Sequence, residues 1–287
     1  MYDTIVVGSG IFGSVIAAHL RAGGQRVIVV GDDRQDSGSR PAGCVMKPSW
    51  ISSLSRDDYS LGLKLLDDLY GVRTIQFELR PKLTTVEAQH VNPQAILRGC
   101  TAHPDFAEAT VVSVDAKPGD LVAAVYRMRG VDAFGLLTAR RLVVAAGIWT
   151  GELCPWVQTK AQYGWSFRGP PVREPVISLW APYRQVVAFN MDDGRSWSGD
   201  GSSLKLESAT HERQQKALHR CVVAMQHDPL ARGTYEVARG ARPYAETGGR
   251  PCLISRRGSV WAVTGGAKNG TIAAAWAALE LEREMRL

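Results

Sequence analysis

The chain has 287 residues, enough for a substantial core in one large domain or two intertwined ones. Its 45% apolar and 22% charged content is that of an ordinary soluble globule, and no apolar run approaches the roughly 18 residues that span a bilayer. Five scattered cysteines without a CxxC pair argue against a disulfide framework and a zinc site, and a net charge of +6, spread along the chain without an aromatic-interleaved stripe, favours anionic ligands over nucleic acid.

The N-terminal apolar segment is a short strand with no basic residues ahead of it, so no signal peptide is expected and the expected location is cytoplasmic. The strand runs into GSGIFG at residues 8–13, and Ile11, Phe12, Val15, Ile16 and Leu20 then recur at helical spacing. A second strand, residues 26–30, follows Gly23 and Gly24. A glycine motif between a strand and a helix in such a βαβ unit is the context of a dinucleotide-binding turn. Gly8 permits the turn, Gly10 lets the backbone approach a pyrophosphate, and Gly13 lets the helix pack closely on the strand. The free N–H groups and the positive end of the helix then face the phosphates. The acid that binds the ribose should close the second strand, but Gly31 stands there, with Asp32 and Asp33 just after it. Asp32 is favoured for the ribose contact, because two adjacent carboxylates repel a phosphate. The competing reading is NADP, with Arg34 on the 2′-phosphate.

Residues 33–50 are rich in Gly, Ser and Pro and predict a loop. A helix is predicted over 58–70 with Leu61, Leu65, Leu66 and Leu69 on one side, then strands broken at Pro81, then a short helix with Pro93 in its first turn. Residues 109–116, 121–128 and 133–147 predict a β-meander feeding a buried strand, with turns at 115–120 and 129–132. The middle of the chain is aromatic: Trp156, Tyr163, Trp165, Phe167, Trp180, Tyr183, Phe189 and Trp197. Its segments VISLWAPY, RQVVAFNM and RSWSGD predict antiparallel strands, with Asp193-Gly194 as a hairpin turn, most of the aromatics on one side of the sheet, and a minority available to line a substrate pocket. A helix over 209–227 carries His211, His219 and His227, eight residues apart and too distant for one metal, so they are read as surface residues; the other histidines, His19, His90 and His103, show no ligand spacing with acids or cysteines either. The chain closes on a strand, Val260–Thr264, a glycine turn, and a helix from about Thr271 whose positive end could face a cofactor.

Four pieces in order, GSGIFG, RLVVAAGIWTGEL (141–153), GARPYAETGGRPCLI (240–254) and WAVTGGAKNG (261–270), resemble the D-amino acid oxidase and glycine oxidase superfamily of FAD-dependent oxidoreductases. The resemblance covers most of the chain, matches the middle only in general pattern, and leaves the substrate open. It implies an α/β fold, α+β overall: a Rossmann-like FAD-binding domain (residues 1–50, 88–155 and 240–287) with a reduced, mainly antiparallel β substrate domain (51–87 and 156–239). Gly8, Gly10, Ile11, Phe12 and Gly13 look like the pyrophosphate turn. Ser39, Arg40, Ala42 and Gly43 resemble the loop passing the flavin ring, and Ala145, Ala146 and Gly147 a second cofactor-side turn. Arg242-Pro243 resembles a GxRP element beside the flavin. Gly265, Gly266, Lys268, Asn269, Gly270 and Thr271 look like the loop and helix end around the flavin's pyrimidine. The departures are Gly31, the absence of a histidine near Gly266, and a chain short for the family.

The activity so implied is removal of a hydride from a C–N bond of an amine or amino acid, with oxygen or another acceptor taking the electrons from the flavin. Lys268 is either a stabiliser of the reduced flavin's negative charge or a solvated loop lysine. Arg242 suits a substrate carboxylate because its planar fork pairs both oxygens; Arg168, Arg173 and Arg184 compete for that role, and a purely structural arginine is the other reading. Lys47 could assist reaction with oxygen or lie on the surface, and Cys44 or Cys252 could link a flavin covalently or simply be buried. The expected partner is a small amine or amino acid, without nucleic acid or a membrane span. A homo-oligomer, or a partner subunit completing the shortened substrate domain, is the structural alternative, and an NADP-dependent reductase the other enzymatic one.

Overall fold

The computed structural model describes residues 1–32, 37–117, 121–181, 184–225 and 228–286, so Asp33, Arg34, Tyr183 and His227 lie outside the described residues. The elements are β1 (Tyr2–Val7), α1 (Ile11–Ala22), β2 (Val27–Gly31), β3 (Val45–Met46), α2 (Arg56–Tyr70), β4 (Arg73–Arg80), β5 (Thr84–His90) and α3 (Pro93–Thr101). They continue with β6 (Phe106–Lys117), β7 (Leu121–Met128), β8 (Phe134–Val144), α4 (Thr150–Leu153), β9 (Lys160–Gly169), β10 (Val176–Ala181), β11 (Arg184–Asn190) and β12 (Ser196–Gly199). The last are α5 (His211–Ala224), β13 (Glu236–Tyr244), β14 (Leu253–Arg257), β15 (Val260–Thr264) and α6 (Gly270–Arg286).

The first sheet is built on β1, which lies parallel to β2 on one side and to the C-terminal half of β8 on the other. β15 runs parallel to β8 and β14 antiparallel to β15. β6 begins parallel to β2 and then turns away into an antiparallel meander with β7 and β8, as predicted. Alternation along β1 sorts its side chains between two cores. Val6 faces helices α1, α2, α3 and α6, with Val15, Leu66, Ile96 and Ile272, whereas Ile5 and Val7 face the meander with Val122, Ala124 and Leu142. The parallel stretches at 5–7, 27–30 and 142–144 are apolar because both faces are covered.

The second sheet has the order β13-β9-β12-β11-β10-β4-β5-β3 and is antiparallel except between β10 and β4. Helix α5 covers one face through Ala217, Cys221 and Ala224, against Trp165, Phe167, Val186 and Ala188. The aromatics are thus not gathered on one side: Phe189 and Trp197 pack with Phe77 in a separate cluster. The hairpin turn at Asp193-Gly194 forms as predicted, with Gly194 at φ 78. The predicted face of α2 is corrected. Leu61 is exposed, and the buried line is Tyr59, Gly62 and Leu66, because Gly62 lets α2 approach Ile272 and Ala275 of α6. Four strands, β3, β9, β13 and β14, go beyond the predicted set; β9 and β13 pair along nine positions, including Arg242 opposite Gln162. Among the described residues, no helix is long and apolar enough to cross a membrane, and no group of His, Cys, Asp and Glu could hold a metal ion. All five cysteines are free and buried.

Candidate active site

A cleft of about 730 Å³ opens where the two sheets meet. The first sheet contributes the β1–α1 turn, the end of β2, the start of β6 and the turn after β8; the second contributes Gly164, Trp165, Gln185, Val187, Trp197 and the β13 residues 240–243. The turn at residues 8–10 is built for close approach. Gly8 has φ 108, where an L side chain is strained, and a Cβ there would stand 2.5 Å from the Ala145 carbonyl oxygen. A Cβ on Gly13 would run into the Gly8 carbonyl, so Gly13 packs the helix on the strand instead of lining the cleft. Gly8, Gly10, Ile11 and Phe12 do line it. The Ile11 amide donates to Ser39 Oγ at 3.0 Å, tying the loop after β2 to the start of α1.

The missing acid at position 31 has a steric cause. A Cβ on Gly31 would lie 2.6 Å from Ser9 Oγ and 2.7 Å from its amide nitrogen, so no side chain fits at the end of β2 while Ser9 holds the turn. The carboxylate is displaced by one residue: Asp32 lines the cleft and accepts a hydrogen bond from Thr110 Oγ1 of β6 at 2.5 Å.

Arg242 lines the opposite part of the cleft from β13. Its Nη1 donates to the Ser202 carbonyl at 2.6 Å. Gly164 on β9 makes room for the guanidinium, since a Cβ there would meet Nη1 at 2.6 Å and Nη2 at 2.8 Å. Burial lowers the pKa of Arg242 from its ordinary value, opposed by Tyr244 and Asp200, but an arginine keeps its charge in any case. Of the competing arginines, Arg168 is paired with Asp193 and Arg173 is exposed; neither lines the cleft, and the side chain of Arg184 lies outside the described residues.

Ala42, Gly43, Ala145, Ala146, Gly147, Gly266, Lys268, Asn269, Gly270 and Thr271 all reach the cleft wall. Helices α1 and α6 therefore both open at the cleft. Lys268 Nζ comes within 3.6 Å of a Cβ placed on Gly201. Gly266 has no room for a histidine, because its Cβ would stand 2.6 Å from the Phe12 ring. Arg40 is exposed, and neither it nor Lys47 or Gly265 belongs to the wall. Cys44 lines the cleft, but burial pushes its thiol up to about 12, and Cys252 is buried behind α6 with its thiol raised further. Both are thiols without nucleophilic thiolate at neutral pH.

Several wall residues were not singled out by sequence: Gly164, Gln185, Val187 and, behind Arg242, Ser202 and Asp200; Trp197 was named only as one of the mid-chain aromatics. Trp197 Nε1 donates to the Pro41 carbonyl at 2.9 Å, and its indole fills the space that a Cβ on Gly43 would need. The acid between two glycines in WSGDGSS (197–203) was the available signal.

A sheet carrying a glycine turn at β1–α1, a displaced acid after β2 and a crossing meander defines a Rossmann-like dinucleotide fold joined to an antiparallel sheet. No protein-family model matches the chain, and no curated protein does. Solved structures do match the fold. Glycine oxidase from Bacillus cereus is 14% identical, with a TM-score of 0.69 over 100% of this chain and 95% of that one. Iminodiacetate oxidase from a Chelativorans species is 16% identical, with a TM-score of 0.69 over 96% and 93%. Glycerol-3-phosphate dehydrogenase from Bacillus halodurans, complexed with FAD, is 14% identical, with a TM-score of 0.71 over 100% of this chain and 65% of that one. The chain shares the fold of these two oxidases and of the FAD-complexed dehydrogenase.

Proposed function

We propose that the chain is an FAD-dependent oxidoreductase that oxidises the C–N bond of an amine or amino acid to an imine. The observation that carries the substrate end of this reading is Arg242, seated on Gly164 in the same cleft as the glycine turn. The residues present fit FAD. Gly8, Gly10, Ile11 and Phe12 would hold the pyrophosphate, Asp32 the ribose, and Gly266, Asn269, Gly270 and Thr271 the pyrimidine end. In this reading the FAD-binding part is built on the first sheet and the substrate part on the second, with the cleft between them.

FAD, when bound, supplies the two-electron acceptor. The chain's own part is placement. Arg242 would pair both oxygens of a substrate carboxylate and fix the Cα–H at the cofactor face. The other titratable side chains of the described wall are Asp32, Cys44, Glu152 and Lys268. Burial holds Cys44 protonated, and the two carboxylates of this wall, Asp32 and Glu152, sit on first-sheet elements while Arg242 sits on β13 of the second. This suits a substrate whose amine binds neutral, with its lone pair free to form the C=N bond. Lys268 and the start of α6 present positive charge to the pyrimidine end.

Purified protein should be yellow and release flavin on denaturation. Anaerobic addition of a panel of amines and amino acids should bleach it, and the speed of colour return in air separates an oxidase from a dehydrogenase with another acceptor. A colourless protein that takes up NADPH and no FAD would sink the reading. Bleaching only when a copurifying subunit is present would make the chain the flavin-bearing part of a larger enzyme.

A further inference from the structure

Arg242 does not hold its position unaided. The loop from Asp200 to Leu204 lies under it, and that loop is fastened at both ends. At one end Leu204 bridges β9, with Tyr163 N donating to the Leu204 carbonyl at 2.6 Å and Leu204 N returning the bond at 2.9 Å. At the other end stands Asp200, 1% exposed. Its carboxylate accepts from Ser202 N at 3.0 Å, from Ser202 Oγ at 2.7 Å and from Arg220 Nε at 3.0 Å, and Arg220 Nη2 closes the ion pair. Ser202, so held, offers the carbonyl that Arg242 Nη1 uses at 2.6 Å. Gly164 leaves space against both groups, because a Cβ there would lie 2.6 Å from the Ser202 oxygen as well as from Nη1. A chain of contacts thus runs from Arg220 on α5 through Asp200 and Ser202 to the cleft.

We propose that Asp200 is a positioning residue: through Ser202 it turns one edge of the Arg242 fork onto the Ser202 carbonyl and leaves the other edge for a substrate carboxylate. This rests on the reading of Arg242 as carboxylate receptor. A buried carboxylate that accepts two bonds from Ser202 fixes the direction of the next carbonyl, and a guanidinium anchored on one edge loses less freedom when it captures an anion. The Leu204 bridge is independent of Asp200, so the loop stays attached to β9 when Asp200 is changed.

The test uses the full-length flavin-loaded protein with acetate as the probe, read by titration calorimetry and by perturbation of the flavin absorption. Arg242→Ala should weaken acetate binding about ten- to a hundredfold. Asp200→Asn should weaken it roughly three- to tenfold in the native background and have no further effect in the Arg242→Ala background, which is the signature of coupled neighbours. Unchanged acetate affinity in Asp200→Asn, or an effect that simply adds to that of Arg242→Ala, overturns the positioning role while leaving Arg242 as the receptor. Unchanged affinity in Arg242→Ala overturns the receptor reading, and the positioning role with it. If Asp200→Asn does not accumulate as folded protein, Ser202→Ala serves. It removes the Oγ bond and keeps the Arg220 pair, and the same coupled weakening supports the proposal where its absence overturns it.

Discussion

Arg242 and Gly31 show how single positions are set by backbone that approaches from elsewhere. Arg242→Ala removes a charge-assisted pair contributing about 1.5–3 kcal/mol, which raises the KM of a carboxylate-bearing substrate roughly ten- to a hundredfold. Arg242→Lys recovers little, because an ammonium cannot hold the Ser202 carbonyl and two carboxylate oxygens in one plane. Both variants should keep FAD, whose phosphates the proposed reading puts at residues 8–12; flavin content measured alongside KM separates a substrate residue from a cofactor residue. Gly31→Ala is the counterpart at the other end of the cleft. Its Cβ meets Ser9 Oγ, N and Cβ at 2.6–2.8 Å, all close to the turn, so relief requires moving the backbone. Overpacking of this kind costs about 1–3 kcal/mol, and the midpoint of urea unfolding should fall accordingly. An unchanged midpoint would mean that Ser9 moves freely and that sterics did not exclude the acid from position 31.

At the scale of elements, the pairing of β5 with its neighbours sets a limit on acid stability. His90 is 1% exposed, with Nδ1 accepting from Arg73 Nε at 3.0 Å and its ring edge-on to Phe189 of β11 at 5.0 Å. Burial, and then the Arg73 charge, lower its pKa to about 4, with Asp192 opposing. The folded protein therefore holds His90 neutral where the unfolded chain, near 6.5, takes up a proton. Stability from this group is complete above about pH 6.5, is lost as pH falls through the window to about 4, and is level below that. The loss is at most about 3 kcal/mol. Urea midpoints measured across this window should drop in the native protein and drop less in His90→Asn; parallel curves would show that other groups carry the acid response. The elements themselves were unequally legible in the sequence. β1, α1 and β2 were readable because a strand, a glycine turn and a helix are neighbours in the chain. The meander was readable because its pairings are local. β9 and β13 were not, since they pair with each other across some seventy to eighty residues of chain, and Arg239, Gly240 and Arg242 break the alternation of β13. The face of α2 was misplaced because leucines suggested it, while Gly62 against α6 decided it. In the cleft the glycines and Arg242 were readable as motif residues, but the seat of Arg242 was not. Gly164, Ser202 and Asp200 approach it only once β9, β12 and β13 are paired.

The whole molecule is two sheets with separate cores that share one cleft, and this makes its stability depend on what fills the cleft. The helix-side core and the meander core belong to the first sheet, and the α5 and Phe77 clusters to the second. Protein contacts across the cleft include the Trp197–Pro41 hydrogen bond and the Ser37–Ala241 bridge. A ligand reaching from Gly8 to Arg242 touches both sheets, binds only when they are docked, and so stabilises the native state by mass action. At a free FAD concentration a hundred times Kd this is about 2.7 kcal/mol. At roughly 2–4 °C per kcal/mol, the scaling for domains of somewhat smaller size, the Tm should rise by about 5–10 °C. ADP occupies only the first-sheet end in this reading, so at the same multiple of its own Kd it should stabilise by the same free energy but should not protect the second sheet preferentially. Hydrogen exchange at β9 and β13 distinguishes the two ligands: FAD should slow exchange there and ADP should leave it close to that of the ligand-free protein. Equal protection of β9 and β13 by both ligands would show that docking of the sheets, and not contact with the flavin end, controls their opening. No rise in Tm with FAD would remove the cofactor from the cleft altogether.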